Sequence, residues 1–87
     1  VLECVPETLA AEISASLAIP TIGIGAGAET DGQVLVMQDL LGMNLDFKPK
    51  FVRRYLDGNK LLLDAFNSYA SDVRDGSFPA SEERYAG

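Results

Sequence analysis

The sequence contains no histidine and no tryptophan, and Cys4 is its single cysteine. Without histidine, a triad that needs a histidine base and a His-ligated zinc site cannot be completed within these residues. One cysteine excludes an internal disulfide framework and a multi-cysteine metal site. No apolar run approaches the roughly 18–20 residues of a membrane span, and no basic-then-apolar leader is present, so the expectation is a cytoplasmic protein. Positive charge is also scarce. The net charge is −6, which argues against nucleic-acid or anionic-membrane binding. Residues 1–47 hold seven carboxylates and no lysine or arginine, whereas all seven cationic side chains fall in residues 48–87. The first part is the place to look for chemistry on cations or carbon acids, and the second reads as helical surface.

What is present is an ordinary globular composition, 47% hydrophobic and 23% charged, over 87 residues. The chain opens directly into Val1-Leu2-Glu3-Cys4-Val5, a strand pattern, and reads as a segment of a longer protein. Pro6 and Glu7 suit a helix start. Leu9, Ile13 and Leu17 form one stripe of a helix over residues 7–18, ended by Ile19-Pro20. Thr21–Gly25 is a second strand, residues 26–32 a loop, and Val34–Met37 a third strand. Residues 38–49 read as loop, with a turn of helix near Leu40 and Leu41. Pro49 opens a helix carrying Phe51, Val52, Tyr55 and Leu56. Gly58 then serves as a C-cap and Asn59 as an N-cap. Leu62, Phe66, Tyr69 and Val73 mark an amphipathic helix over 60–74, stopped by Gly76 and Pro79, with one more turn after Ser81. Residues 1–47 thus carry three strands, the first helix and the loops of a site, and residues 48–87 the C-terminal helices, within one segment 1–87. Strand–helix–strand of this length is a right-handed parallel crossover. Three short parallel strands leave edges open, which suggests a slice of a larger β/α sheet or barrel.

Glu3 is the first candidate for chemistry. Alternation puts Val1, Glu3 and Val5 on one strand face and Leu2 and Cys4 on the other. The following helix covers the apolar pair, so Glu3 faces the opposite side, the interior of a β/α barrel, near the strand's C-terminal end. A carboxylate among Val1, Leu2, Cys4 and Val5 loses water and gains strength as a base, which suits proton abstraction. The competing reading is an exposed edge position. Thr21, Gly23 and Gly25 share a face and leave space beside that carboxylate, while Ile22 and Ile24 pack under helices. Gly23-x-Gly25-x-Gly27 is not the G-x-G-x-x-G fingerprint, no P-loop lysine is present, and Glu29 and Asp31 repel phosphate. Asp39 caps a short helix or orients a loop or ligand. Asp31-Gly32 is a turn. Cys4 is a small buried hydrophobe. Lys48, Lys50, Arg53 and Arg54 are a solvated or salt-bridging face.

Several segments together resemble the ketopantoate hydroxymethyltransferase family: Leu2-Glu3-Cys4-Val5-Pro6, Ile19-Pro20-Thr21-Ile22-Gly23-Ile24-Gly25-Ala26-Gly27, and Thr30-Asp31-Gly32-Gln33-Val34-Leu35-Val36. Asp39 with Leu41-Gly42, Lys48-Pro49-Lys50-Phe51 and Gly76-Ser77-Phe78-Pro79 extend the match. The resemblance implies an α/β fold, the C-terminal part (about strands 6–8 and their helices) of a (β/α)8 TIM barrel. It implies hydroxymethyl transfer from 5,10-methylenetetrahydrofolate to 3-methyl-2-oxobutanoate, giving ketopantoate for pantothenate and coenzyme A synthesis, with Glu3 as proton acceptor. It also implies magnesium, with ligands outside this segment. The implied partners are a 2-oxo acid, a reduced folate, the remainder of the barrel, and further copies in a homo-oligomer (a decamer in many relatives) joined through C-terminal helices. Gln38 stands where some relatives carry histidine. Two alternatives remain open at this point: a related metal-dependent 2-oxo acid lyase or mutase barrel, and a non-catalytic assembly segment.

Overall fold

The computed structural model describes residues 1–86; Gly87, the last residue of the expected segment, lies outside the described residues. The elements in chain order are β1 (Leu2–Glu3), α1 (Glu7–Ser16), β2 (Ile22–Ile24), β3 (Gly32–Gln33), α2 (Met37–Leu40), α3 (Gly58–Asp75) and a 3-10 turn at Ser81–Glu83. The three strands form one parallel sheet in the order β1-β2-β3. Leu2 pairs with Gly23 and Glu3 with Ile24; Ile22 pairs with Gly32 and Gly23 with Gln33. Among the described residues, no helix is long and apolar enough to cross a membrane.

α1 begins where Pro6 fixes φ at −52° and Glu7 meets the positive helix end. It stops at Ser16, two residues before the expected end, with Leu17 already extended. Pro20 lies four residues beyond Ser16, whose carbonyl it can neither bond nor approach in a helix. In the last turn the Ser16 hydroxyl donates to the Ile13 carbonyl at 2.9 Å.

The connection from β2 to β3 is only seven residues, 25–31, and contains no helix. Parallel neighbours usually need a dozen or more. Two features make the short return possible. The strands are two or three residues long, so the distance to retrace is small. Gly25 and Gly27 take φ of +69° and +81°, angles that fold the chain back on itself. The loop is braced by Gln33, whose side-chain amide donates to the Gly27 carbonyl at 2.8 Å and the Thr30 hydroxyl at 3.2 Å.

Thr21 fixes the register. It is buried, and its N–H and hydroxyl both donate to Asp31 Oδ2, at 2.7 and 3.0 Å. With its proton directed there, the Thr21 hydroxyl accepts from Ser14 of α1 at 2.7 Å. The Thr21 carbonyl accepts from Gly32 N–H at 3.0 Å, and Gly23 O accepts from Val34 N–H at 2.9 Å. This clamp places β3 at Gly32–Gln33 and not at the expected Val34–Met37. Asp31 is accordingly a cross-strand acceptor as well as a turn residue. Val34–Val36 leaves the sheet, and Met37 begins α2.

The expected helix after Pro49 is absent. Pro49 makes a single turn, its carbonyl accepting from Val52 N–H at 3.0 Å. Further on, the N–H groups turn to another segment: Tyr55 to Leu40 O and Gly58 to Leu41 O, both at 2.8 Å, and Asn59 to Gly42 O at 3.0 Å. These long-range bonds prevail over local helix propensity. Gly58 is therefore neither a C-cap nor followed by an N-cap. It is the first residue of α3, and a Cβ there would collide with the Leu41 carbonyl.

α3 spans 18 residues, about 27 Å at 1.5 Å per residue. It ends as expected at Gly76, in the left-handed conformation with φ of 83°. The hydroxyl of Ser77, then its N–H, hold the Asp75 carboxyl below its usual range. The apolar stripe Leu62, Phe66, Tyr69 and Val73 is exposed, with the Phe78 ring edge-on to Tyr69 at 5.4 Å.

The described chain measures 69 × 28 × 13 Å with a radius of gyration of 21.7 Å; a compact domain of this length has about 12 Å. The buried apolar residues are Ala10, Ala26 and Val52. Burying one valine or leucine contributes about 1.5–3 kcal/mol, whereas fixing the backbone costs about 1–2 kcal/mol per residue. Such a core cannot hold the arrangement alone. The isolated 87-residue chain should therefore bind the apolar dye ANS and melt without a sharp cooperative transition, as calorimetry would show.

The Thr21 clamp has a pH dependence. Thr21 N–H, then its hydroxyl, stabilise the Asp31 carboxylate and lower its pKa from the ordinary 3.8. A depressed folded-state value means the contribution is complete above 3.8 and is lost as pH falls through the lower folded value. Protection of the Gly32 and Val34 amides against exchange in the complete protein should fall below that pH, and Asp31→Asn should remove the dependence.

Candidate active site

Parallel pairing puts partnered residues on one face, so Glu3 stands beside Ile24, with Ile22 and Gly32 on the same side. Leu2, Gly23 and Gln33 share the other. Thr21 bonds α1 through Ser14, and a Cβ on Gly23 would lie 2.8 Å from the Thr30 hydroxyl. α1 and the 25–31 loop therefore cover the Leu2–Gly23 face. This reverses the expected assignment within β2: the isoleucines stand with Glu3, and the glycine gives the loop room to pass over the sheet. Glu3 is on the face opposite α1, as its alternation with Leu2 predicts. Glu3 itself is exposed.

Glu3 is the last residue of β1, and the chain turns immediately after it. Cys4 has φ of 54°, a left-handed angle that costs a non-glycine residue about 1–2 kcal/mol. The expected small buried hydrophobe is thus an exposed turn residue.

At the same C-terminal end of the sheet lies an open cleft of about 560 Å³. The 25–28 loop, Gln33, Phe51, Arg53 and Tyr55 line it. Gly25 is required there twice over, by its positive φ and because a Cβ would sit 2.8 Å from the Phe51 ring. Arg53 lies over the Tyr55 ring, 5.8 Å from its centroid, and donates to the Tyr55 hydroxyl at 3.3 Å. Ligands of open parallel sheets gather outside the carboxyl ends of the strands, where Glu3 and this cleft both lie.

The remaining candidates divide. Asp39 is half-buried in the first turn of α2, and its side chain makes no cap bond there. Lys48 and Lys50 are exposed, as a solvated face requires. Arg54 donates to the Asn44 carbonyl at 2.9 Å, and Arg53 enters the cleft, so the four cations are not one surface. The cleft roles of Phe51, Arg53 and Tyr55 were not readable from spacing, because a helix over those residues would have carried Arg53 round a different face. Among the described residues, no group of three His, Cys, Asp or Glu gathers to hold a metal ion.

The sequence model of ketopantoate hydroxymethyltransferase matches residues 1–81. The chain is 56% identical over 85 residues to a 3-methyl-2-oxobutanoate hydroxymethyltransferase of Francisella tularensis (strain SCHU S4), covering 98% of this chain and 32% of that protein. A protein of the same name from Salinibacter ruber is 60% identical, with the same coverage. One from Bdellovibrio bacteriovorus is 59% identical over 86 residues, covering 99% of this chain and 33% of its own length. The chain spans about a third of the length of these curated relatives. By the extent of both kinds of match, it belongs to the ketopantoate hydroxymethyltransferase family.

Proposed function

We propose that this chain forms the C-terminal third, strands six to eight with their helices, of a (β/α)8 barrel enzyme. That enzyme transfers a hydroxymethyl group from 5,10-methylenetetrahydrofolate to 3-methyl-2-oxobutanoate, the step that yields ketopantoate for pantothenate synthesis. Glu3 is the proton acceptor. The observation that carries this reading is the position of Glu3: the last strand residue, at the carboxyl end of the sheet, on the face away from α1. In a closed barrel that face is the interior, where the missing strands would remove the water that surrounds Glu3 in this chain alone.

The chemistry follows from that placement. The C–H beside the ketone of 3-methyl-2-oxobutanoate is a weak carbon acid. Glu3 takes its proton, and the electron pair passes into the enolate. Water adds to the methylene carbon of the folate, and both C–N bonds to that carbon break, so that tetrahydrofolate leaves and formaldehyde remains. The enolate carbon then bonds to the formaldehyde carbon, and its oxygen takes the proton back from Glu3 to become the product hydroxyl. The described residues do not form a site for magnesium, and such an ion would be held by residues outside them. Residues 1–47 have no lysine or arginine to receive the 2-oxo acid carboxylate, and Arg53 is the one cation lining the cleft.

A second role has its own observation. The exposed stripe on α3, with Phe78 against Tyr69, is a face for packing on another copy. It is compatible with catalysis by Glu3 and is tested separately.

In the complete enzyme, Glu3→Gln should slow exchange of the C3 proton of 3-methyl-2-oxobutanoate for deuterium, followed by NMR, by about 10²–10⁴-fold, with oligomer size unchanged. Undiminished exchange would remove Glu3 from the mechanism. The 87-residue chain by itself should show no folate-dependent turnover. Phe66→Asp in the complete enzyme should lower the oligomer mass measured by light scattering; an unchanged mass would assign α3 to intrachain packing.

A further inference from the structure

β1 and α1 are joined by only three residues, Cys4, Val5 and Pro6. This short connector swings the chain out of the sheet, and one of its residues takes an unusual angle. That residue is Cys4. Every other positive φ among the described residues belongs to a glycine, at 25, 27, 42 and 76. A cysteine in this region holds its Cβ against the following carbonyl oxygen and stays there only if both flanks are fixed. Both are. Cys4 N–H donates to the Ile24 carbonyl at 2.9 Å, directly after the Glu3–Ile24 pair. Beyond it Val5 is half-buried, Pro6 has its φ locked by its ring, and the Pro6 carbonyl accepts from Ala10 N–H at 2.9 Å. The thiol itself is exposed, so its burial does not explain the turn.

Strained backbone at a non-glycine residue is concentrated at functional sites, and here it adjoins the proposed proton acceptor. We propose that Cys4 is a positioning residue for Glu3: its left-handed backbone ends β1 at Glu3 and fixes the direction in which that carboxylate leaves the sheet. The proposal rests on Glu3 being the base. The thiol takes no part. Glycine would reach the same angle but many others as well, whereas cysteine tied to Ile24 O has few alternatives.

The test uses the complete enzyme with Cys4→Ser, Cys4→Asn and Cys4→Val beside Glu3→Gln. The readouts are kcat, KM, the pH profile of kcat, melting temperature and oligomer size. Serine keeps the size and backbone preference of cysteine and should retain kcat within about twofold. Asparagine tolerates the left-handed region and should retain most of it. Valine is β-branched and resists positive φ; it should lose on the order of tenfold in kcat, with KM and oligomer size unchanged and the acid limb of the profile displaced. An unchanged kcat for Cys4→Val overturns the proposal, as does an equal loss for Cys4→Ser, which would assign the effect to the thiol. Should Cys4→Val not fold, Cys4→Asn decides: retained turnover supports the proposal and lost turnover overturns it. If Glu3→Gln abolishes turnover while Cys4→Val does not, the base stands and the positioning role falls. If Glu3→Gln leaves turnover intact, the reading of the base has itself failed.

Discussion

Thr21 is the residue through which the sheet is put in register. Its N–H and hydroxyl hold Asp31, its hydroxyl accepts from Ser14, and its carbonyl receives Gly32 N–H. One side chain and the two peptide groups that flank it thereby join α1, β2 and the start of β3. The consequence reaches past that junction, because a slip of one residue in a parallel ladder exchanges the two faces of a strand. With Ile22 set against Gly32, the isoleucines of β2 stand on the side opposite α1, and β1 pairs so that Glu3 joins them. The clamp lies at the N-terminal ends of the strands, away from the proposed chemistry. This is the division expected of β/α architectures, with stability at one end of the sheet and reaction at the other.

The elements that were legible in the sequence are those set by local chemistry. α1 follows from Pro6, Glu7 and the stripe begun by Leu9 and Ile13, and α3 from Leu62, Phe66, Tyr69, Val73 and the Gly76 stop. The short strands at Leu2–Glu3 and Ile22–Ile24 follow from β-branched and apolar runs between breakers. The side of the sheet that Glu3 occupies was also readable, since it depends only on alternation with Leu2. What was not readable depends on partners distant in sequence. Nothing near Val34 tells that Thr21 has already fixed the third strand two residues earlier. Nothing near Pro49 tells that the N–H groups of Tyr55, Gly58 and Asn59 will find the carbonyls of Leu40, Leu41 and Gly42. A left-handed cysteine gives no signal either, because the partner that holds it, the Ile24 carbonyl, is distant in sequence.

The glycines illustrate the same difference. As a sequence pattern, Gly23, Gly25 and Gly27 suggest space for a ligand. In the structure each answers a separate packing demand: Gly23 admits Thr30 over the sheet, Gly25 lies under the Phe51 ring, and Gly27 leaves room for the Glu7 side chain. All three let a seven-residue return follow the sheet closely where a helix would usually lie. A thin covering layer brings Phe51, Arg53 and Tyr55 near the strand ends, and so the cleft there is partly a product of the missing helix.

Charge then sets how the work of the proposed reaction is shared. A base that removes a proton from a 2-oxo acid must approach an anion, and a bare carboxylate repels it. The repulsion weakens in water, but water also weakens the base. Drying the site therefore helps proton abstraction only if cations accompany the substrate. Residues 1–47 have none, and one cation, Arg53, lines the cleft, keeping its charge while it donates to the neutral Tyr55 hydroxyl. Glu3 can be an effective base only where other strands supply the low-dielectric wall and add to that positive charge. An arrangement of that kind makes the proton acceptor and the substrate-holding groups inseparable, although they lie on different parts of the polypeptide. It also gives a physical reason for Glu3 to be harmlessly solvated in these residues alone: the environment that would make it reactive is the same one that would hold its substrate.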